Sequence, residues 1–345
     1  MNDNEKIIFT NNFDYFLKKH NINKILIYII IIIALLLLFY LFKKDKEDAI
    51  LPEKTDIEHQ ENEDIQSPDK DDIGLLDNPK PTYSKKLYIK NYLILQKSFQ
   101  PFMNELPKYG HTHIYSNKIF ALWLQGEENI PKLTRVCLIS VKFHCKNHEM
   151  IIITEKNLDK YIHIPNYILE KYKKGIITKP HFSDIIRIEL LIKYGGTWVD
   201  ASILMTDYEE KYFFKDLFFF SVLTDNYTAG SSWFLTSEKG SPILRGTRDM
   251  MYEYWRYSNS LKEYLLVYIF FKFACDLYTS DYDKVEVNPI EIHKLFQPLL
   301  AEPYENKLFK KITSLTSIHK LDTNMMIPSE KELFYQHFIK LYSNI

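Results

Sequence analysis

Cysteine is scarce: the chain of 345 residues holds three, Cys137, Cys145 and Cys275. So small and odd a number excludes a disulfide framework, and no CxxC or His-rich spacing points to a zinc site. The three thiols are expected to be packing residues. Net charge is equally thin, with 44 Lys and Arg against 45 Asp and Glu, a balance of −1 and a pI near 6.8. Without a global basic field there is nothing to attract a phosphate backbone, so no nucleic acid is expected as a partner. Apolar and aromatic side chains are abundant, at 46% and 15%, enough for a substantial core.

The N-terminal part is ordered by polarity. Residues 25–42 form an unbroken apolar run of 18, which as a helix rising about 1.5 Å per residue spans roughly 27 Å, the thickness of a bilayer's hydrocarbon. A buried core helix would carry a polar stripe and this run has none, while Lys24, Lys43 and Lys44 bracket it. It reads as a single transmembrane helix behind an N-terminal tail, 1–24. It is not a cleaved leader, because lysines and acids follow it in place of small residues. Lysines on both sides leave its orientation open. Residues 45–77 carry 13 acids against three lysines and no aromatic residue. Such a stretch cannot bury enough apolar area to offset ordering. Residues 43–86 therefore read as a disordered stem, or else an acidic docking tail, ahead of one domain from 87 to 345.

That domain alternates. Residues 118–124 read as a strand, 131–145 as a helix with Pro131 near its first turn, and 150–154 as a second strand. Residues 182–194 have helical periodicity ended by Gly195 and Gly196, and 197–205 look like one buried strand. Strand candidates follow at 217–223 and 232–236, then a long helical region at 241–278. The expected fold class is α/β, a mostly parallel sheet flanked by helices, with ligands beyond the carboxyl ends of its strands. Asp184 and Arg187, three apart, share one helical face. Asp200 stands alone in an apolar strand, where a buried carboxylate costs several kcal/mol unless a metal or strong hydrogen bonds compensate.

These pieces resemble, in order, the capsular polysaccharide synthesis proteins and the related glycosyltransferases named for a sugar-binding DXD region. The matching residues are Trp123 with Gln125-Gly126, Pro131, Phe182-Ser183-Asp184-x-x-Arg187, Gly195-Gly196-x-Trp198-x-Asp200, Ser231-Ser232-Trp233-Phe234 and His319-Lys320-Leu321. The resemblance implies a GT-A-like, Rossmann-like fold and a membrane-anchored, retaining hexosyltransferase that moves a sugar from a nucleotide-sugar donor to a glycan or polysaccharide acceptor. It implies that Trp123 stacks on the donor base, that Asp184 and Arg187 hold ribose or sugar hydroxyls beside Gly195 and Gly196, and that Asp200 and Arg187 are catalytic. It also implies a divalent metal, Mn2+ or Mg2+, on Asp200. Where the DXD pattern has a second carboxylate this chain has Ser202, a poorer ligand, which leaves His319 as a further candidate.

The ordinary alternatives are core packing for Trp123, a helix-terminal charge for Asp184 and a local ion pair for Arg187. A rival function, a non-catalytic carbohydrate-binding membrane protein on the same fold, draws on Ser202. A second rival is a membrane-tethered scaffold whose acidic stem recruits partners. The expected location is a single-pass protein in the lipid bilayer through residues 25–42, of the Golgi or another secretory compartment in a eukaryote and of the plasma membrane in a bacterium.

Overall fold

In residues 85–105, Tyr88, Tyr92 and Leu95 recur at helical spacing and are buried, and Ser84 Oγ accepts from Leu87 N at 3.4 Å at the amino end. This makes helix α1 (Lys85–Glu105), which starts two residues ahead of the expected domain boundary. The structure is a computed structural model and describes residues 84–222, 226–322 and 333–342. The expected membrane span and nearly all of the stem lie outside the described residues. Among the described residues no helix is long and apolar enough to cross a membrane.

The elements that follow are β1 (Lys118–Leu122), α2 (Lys132–His144), β2 (Glu149–Ile153), α3 (Leu158–Tyr161), α4 (Asn166–Lys173), α5 (Lys179–Tyr194), β3 (Gly196–Val199) and β4 (Ile203–Met205). Then come β5 (Leu217–Ser221), β6 (Gly230–Ser237), α6 (Pro242–Tyr257), α7 (Leu266–Leu277), α8 (Thr279–Tyr282), α9 (Asn306–Thr313), β7 (Ile318–Lys320) and α10 (Phe334–Tyr342). The main sheet has five strands in the order β2-β1-β3-β6-β5. Strand β1 runs parallel to β2 and β3, whereas β6 is antiparallel to β3 and β5. Thus β2, β1, β3 and β5 point one way and β6 opposes them. The sheet is mostly parallel, as expected, and is mixed only through β6, because β5 and β6 form a hairpin that inserts its second strand beside β3.

Alternation along the strands feeds two cores. Phe120, Trp198 and Phe219 pack on one face with α1, α5, α6 and α7. Ile119, Val199 and Phe218 pack on the other with Leu138 and Val141 of α2. Cover on both faces is why these strands read as near-continuous apolar runs. A third cluster joins α2 to Phe296, Phe334 and Phe338. Cys137, Cys145 and Cys275 are all buried.

The expected strand 197–205 is broken in two. The backbone turns at Asp200, whose carbonyl accepts from Ile203 N at 3.0 Å, and β4 leaves the sheet to pair antiparallel with β7. The expected long helix 241–278 likewise divides into α6 and α7.

Candidate active site

Helix α5 and strand β3 supply three charges to one place. Asp184 and Arg187, one turn apart on α5, meet through Arg187 Nη1 and Asp184 Oδ1 at 2.9 Å. Asp200 lies one residue past the carboxyl end of β3, and Arg187 Nη2 reaches its Oδ1 at 3.2 Å. Trp198, two positions before Asp200, donates its indole N–H to the same oxygen at 2.9 Å and lies under the guanidinium, 4.8 Å from Arg187 Cζ to its ring. The other oxygen, Oδ2, accepts from Lys320 Nζ at 2.8 Å, and Lys320 also donates to Ser202 Oγ at 2.6 Å. Cations and acids therefore alternate: Asp184, Arg187, Asp200, Lys320.

Lys320 arrives through the small sheet. The β4–β7 register sets Ile203 opposite Lys320, and Leu321 N donates to Ser202 O at 3.0 Å. The Lys320 and Asp200 side chains keep 20% and 26% of their surface exposed, while Arg187 keeps only 6%. The cluster thus has an open side at Lys320 and a closed one at Arg187.

The two carboxylates are pushed apart in acidity. Burial works against ionisation of both. At Asp200 the nearby charges of Lys320 and Arg187 outweigh it and hold the carboxyl below its usual range. At Asp184 burial outweighs Arg187 and the pKa is raised. Beyond Arg187 lies the half-buried Tyr268, whose hydroxyl accepts from Ser232 Oγ at 3.1 Å and whose pKa is raised by burial and then by the acids of this cluster. Trp123 follows β1 at the same carboxyl edge of the sheet, in the apolar cluster that includes Ala201. Its indole N–H is buried without a partner among the described residues.

Three expected site residues stand elsewhere. Gly195 precedes β3 and Gly196 opens it, a strand length of about 13 Å from Asp200. Their work is structural. A side chain on Gly195 would meet Lys239 N at 2.7 Å and one on Gly196 would meet Lys118 O at 2.4 Å, both from backbone at positive φ. His319 neighbours Lys320 on β7, and adjacent strand residues point to opposite faces. Its imidazole is completely buried, beside Phe296 at 4.7 Å and Thr206 Oγ1 at 3.0 Å, with its pKa pushed down by burial to about 3.

The expected metal set of Asp200, Ser202 and His319 is therefore not assembled. Both Asp200 oxygens accept from cations or the indole, and the Lys320 ammonium sits between Asp200 and Ser202, where a bridging cation would have to stand. These donors do not fit a divalent metal without first displacing Lys320.

Lys320 and Trp198 complete the cluster; both stand in the matching motifs, but the sequence assigns neither of them a role. A lysine among Ile318, His319 and Leu321 carries the same signal as Asp200, a charge that an apolar strand must account for. Trp198 precedes Asp200 by two, the spacing that puts neighbours on one side of a strand.

Comparison with known proteins gives three findings. The family described as "Capsular polysaccharide synthesis protein" matches residues 78–338. No curated protein matches the chain. Among solved structures, "PaToxG Glycosyltransferase" matches with 16% identity and a TM-score of 0.33, covering 56% of this chain and 79% of its own.

Proposed function

The chain belongs to the capsular polysaccharide synthesis protein family, and from that premise we propose that it is a glycosyltransferase, moving a sugar from a nucleotide-sugar donor to a glycan or polysaccharide acceptor. The reaction breaks the bond from the anomeric carbon to the diphosphate oxygen and forms one to an acceptor hydroxyl, whose proton must be removed. Negative charge gathers on the departing diphosphate. The observation that carries the reading is the alternating chain Asp184–Arg187–Asp200–Lys320 at the carboxyl edge of β3.

In this reading Lys320, on the open side of the cluster, supplies the cation that the leaving diphosphate needs. Preorganised charge of this kind is the largest single contribution in many active sites. Asp200 fixes Lys320 and Arg187 in place, and Asp184 anchors the far end of the guanidinium. Trp123 offers its ring and free indole N–H to the base of the donor. Retention of the anomeric configuration and anchorage in a bilayer through residues 25–42 complete the proposal. The second rests on the unbroken apolar run of 18 residues.

The deciding experiment is hydrolysis and transfer from a panel of nucleotide sugars by the purified chain, with the Lys320→Met variant alongside. Turnover that depends on Lys320 supports the proposal. Binding of a sugar without turnover would replace it with the carbohydrate-binding reading. The anomer of the product, read by NMR, tests retention.

A further inference from the structure

At the opposite edge of the sheet, where β3 and β5 begin and β6 ends, a second cluster has no part in the proposed reaction. Its geometry follows from the hairpin. Leu217 pairs with Ser237, so the flanking residues Asp216 and Glu238 are neighbours, and Glu238 N donates to Asp216 O at 3.0 Å. The connection from α1 to β1 lays His111 and His113 over them, rings stacked at 5.1 Å with 9° between their planes. One ligand atom from each of His111, His113, Asp216 and Glu238 lies within 4.8 Å of the other three.

The carboxylate at the centre is held by neutral donors and an imidazole, with no lysine or arginine beside it. Glu238 is completely buried. Its Oε2 accepts from the backbone N–H of Thr112 at 2.8 Å, from that of His113, and from Thr112 Oγ1 at 3.3 Å. That leaves Oε1 facing His111 Nδ1. Asp216 Oδ1 lies 3.2 Å from His113 Nδ1 and accepts from Tyr115 OH at 2.6 Å. Neither acid has a lysine or arginine ion-pair partner among the described residues. His113 also holds φ at 51°, a left-handed conformation that costs a histidine about 1 kcal/mol or more and that the contacts to Glu238 maintain.

We propose that His111, His113, Asp216 and Glu238 bind one divalent transition-metal ion of the zinc type. Two imidazole nitrogens and two carboxylate oxygens are a donor set that such an ion accepts in tetrahedral geometry. Both histidines turn Nδ1 inward. His111 Nε2 lies 2.8 Å from Asp281 Oδ1, so a small turn of the ring on metal binding brings Asp281 into line as the outer acid of a metal-bound histidine. A cleft of about 140 Å³ lined by His111, Asp216 and Asp281 gives the ion a way in. Metal ligands bind in their deprotonated forms, so binding releases whatever protons the four groups hold. The metal clasps the α1–β1 connection to the base of the β5–β6 hairpin. Its role is structural, and the inference does not rest on the proposed reaction at the other edge.

The test uses the full chain without a polyhistidine tag, stripped with a chelator that is then removed, and titrated with Co2+. The expected result is one equivalent bound with the d–d absorption of a tetrahedral site, displaced by Zn2+, with proton release and a rise in melting temperature. His113→Gln alters a side chain that is 63% exposed and should abolish the band while leaving far-ultraviolet circular dichroism unchanged. Asp281→Asn should weaken binding by about 10–100-fold, the usual effect of an outer-shell partner. No saturable Co2+ binding, or binding of equal affinity in His113→Gln and Asp216→Asn, would overturn the assignment. Loss of nucleotide-sugar turnover in Lys320→Met leaves it untouched, so the two readings fail separately.

Discussion

Lys320 and Asp200 are 120 positions apart in the chain and 2.8 Å apart in the fold. The small β4–β7 sheet brings them together, and Ser202, two residues beyond Asp200, takes a second hydrogen bond from the same ammonium. A lysine so held is a fixed positive charge at the carboxyl edge of β3.

Lys320→Met keeps the length of the side chain and removes the charge. Transfer is expected to fall on the order of 10²-fold or more, the cost of losing one preorganised electrostatic group. The pair is partly exposed, so stability should drop by only about 1 kcal/mol. Lys320→Arg should recover part of the rate. A variant that turns over at the wild-type rate would remove Lys320 from the chemistry.

Asp200→Asn tests the other partner. The carboxylate accepts from Trp198, Arg187 and Lys320, and an amide has one acceptor oxygen in place of two. Both the rate and the melting temperature should fall, the latter by an amount matching about 1–3 kcal/mol for the lost acceptor. An unaltered melting temperature with a lost rate would mean that these hydrogen bonds carry no structural weight.

Arg187→Lys preserves charge and loses the planar fork that joins Asp184 to Asp200 while lying on Trp198. One ammonium cannot reach both acids in that geometry, so the rate should drop, with the larger effect in kcat if Arg187 acts by positioning Asp200. Unchanged kcat and KM would assign it to the core alone.

How much of this the sequence disclosed follows from locality. Asp184 and Arg187 share a helix face by spacing, and Asp200 betrays itself as an acid in an apolar strand, so three of the four members of the charged chain are legible locally. Lys320 could not be assigned a partner, because that depends on β4 leaving the sheet for β7. His319 was weighed ahead of it as a ligand type, and strand alternation turns His319 the other way. Gly195 and Gly196 mark the turn between α5 and β3, and a glycine pair signals close backbone approach without saying whose: here it is the backbone of Lys239 and Lys118. The cluster of His111, His113, Asp216 and Glu238 was invisible. Two histidines with one residue between them say little until the hairpin sets two acids beside them.

Gly196→Ala follows from that close approach. The new methyl would lie 2.4 Å from Lys118 O at a φ of 91°, so β3 must shift away from β1. A loss of roughly 2 kcal/mol or more is expected from strain and overpacking, read as a lower urea midpoint. Donor affinity of the folded fraction should be unchanged. Weaker donor binding without loss of stability would restore Gly196 to the site.

The last expectation concerns pH, and it comes from two histidines that the chemistry does not use. His293 and His319 are buried on the face away from the charged chain, and burial pushes their pKa values down, to about 4 and about 3. His293 Nδ1 lies 2.8 Å from Ile318 O and 2.9 Å from Thr316 Oγ1, so one neutral tautomer is locked in place. An unfolded chain would titrate both near 6.5. Below that pH the unfolded state binds two protons that the folded state refuses, so stability falls as pH drops and continues to fall until the folded pKa values are reached. Between pH 7.5 and 5.5 each histidine contributes about 1.4 kcal/mol, or about 2.7 kcal/mol for the pair. His111 works in the opposite sense. Burial disfavours its charge, but Asp281 and Glu238 outweigh burial and raise its pKa, so its contribution is full at low pH and fades as pH rises through the folded value. Binding of metal at His111 would remove that term. Urea midpoints of the metal-free chain at the two pH values should therefore differ in favour of pH 7.5. His319→Gln, which cannot take up a proton, should reduce the difference by about half. A wild-type chain equally stable at both values would mean that these rings are reached by water and protonate in the folded state.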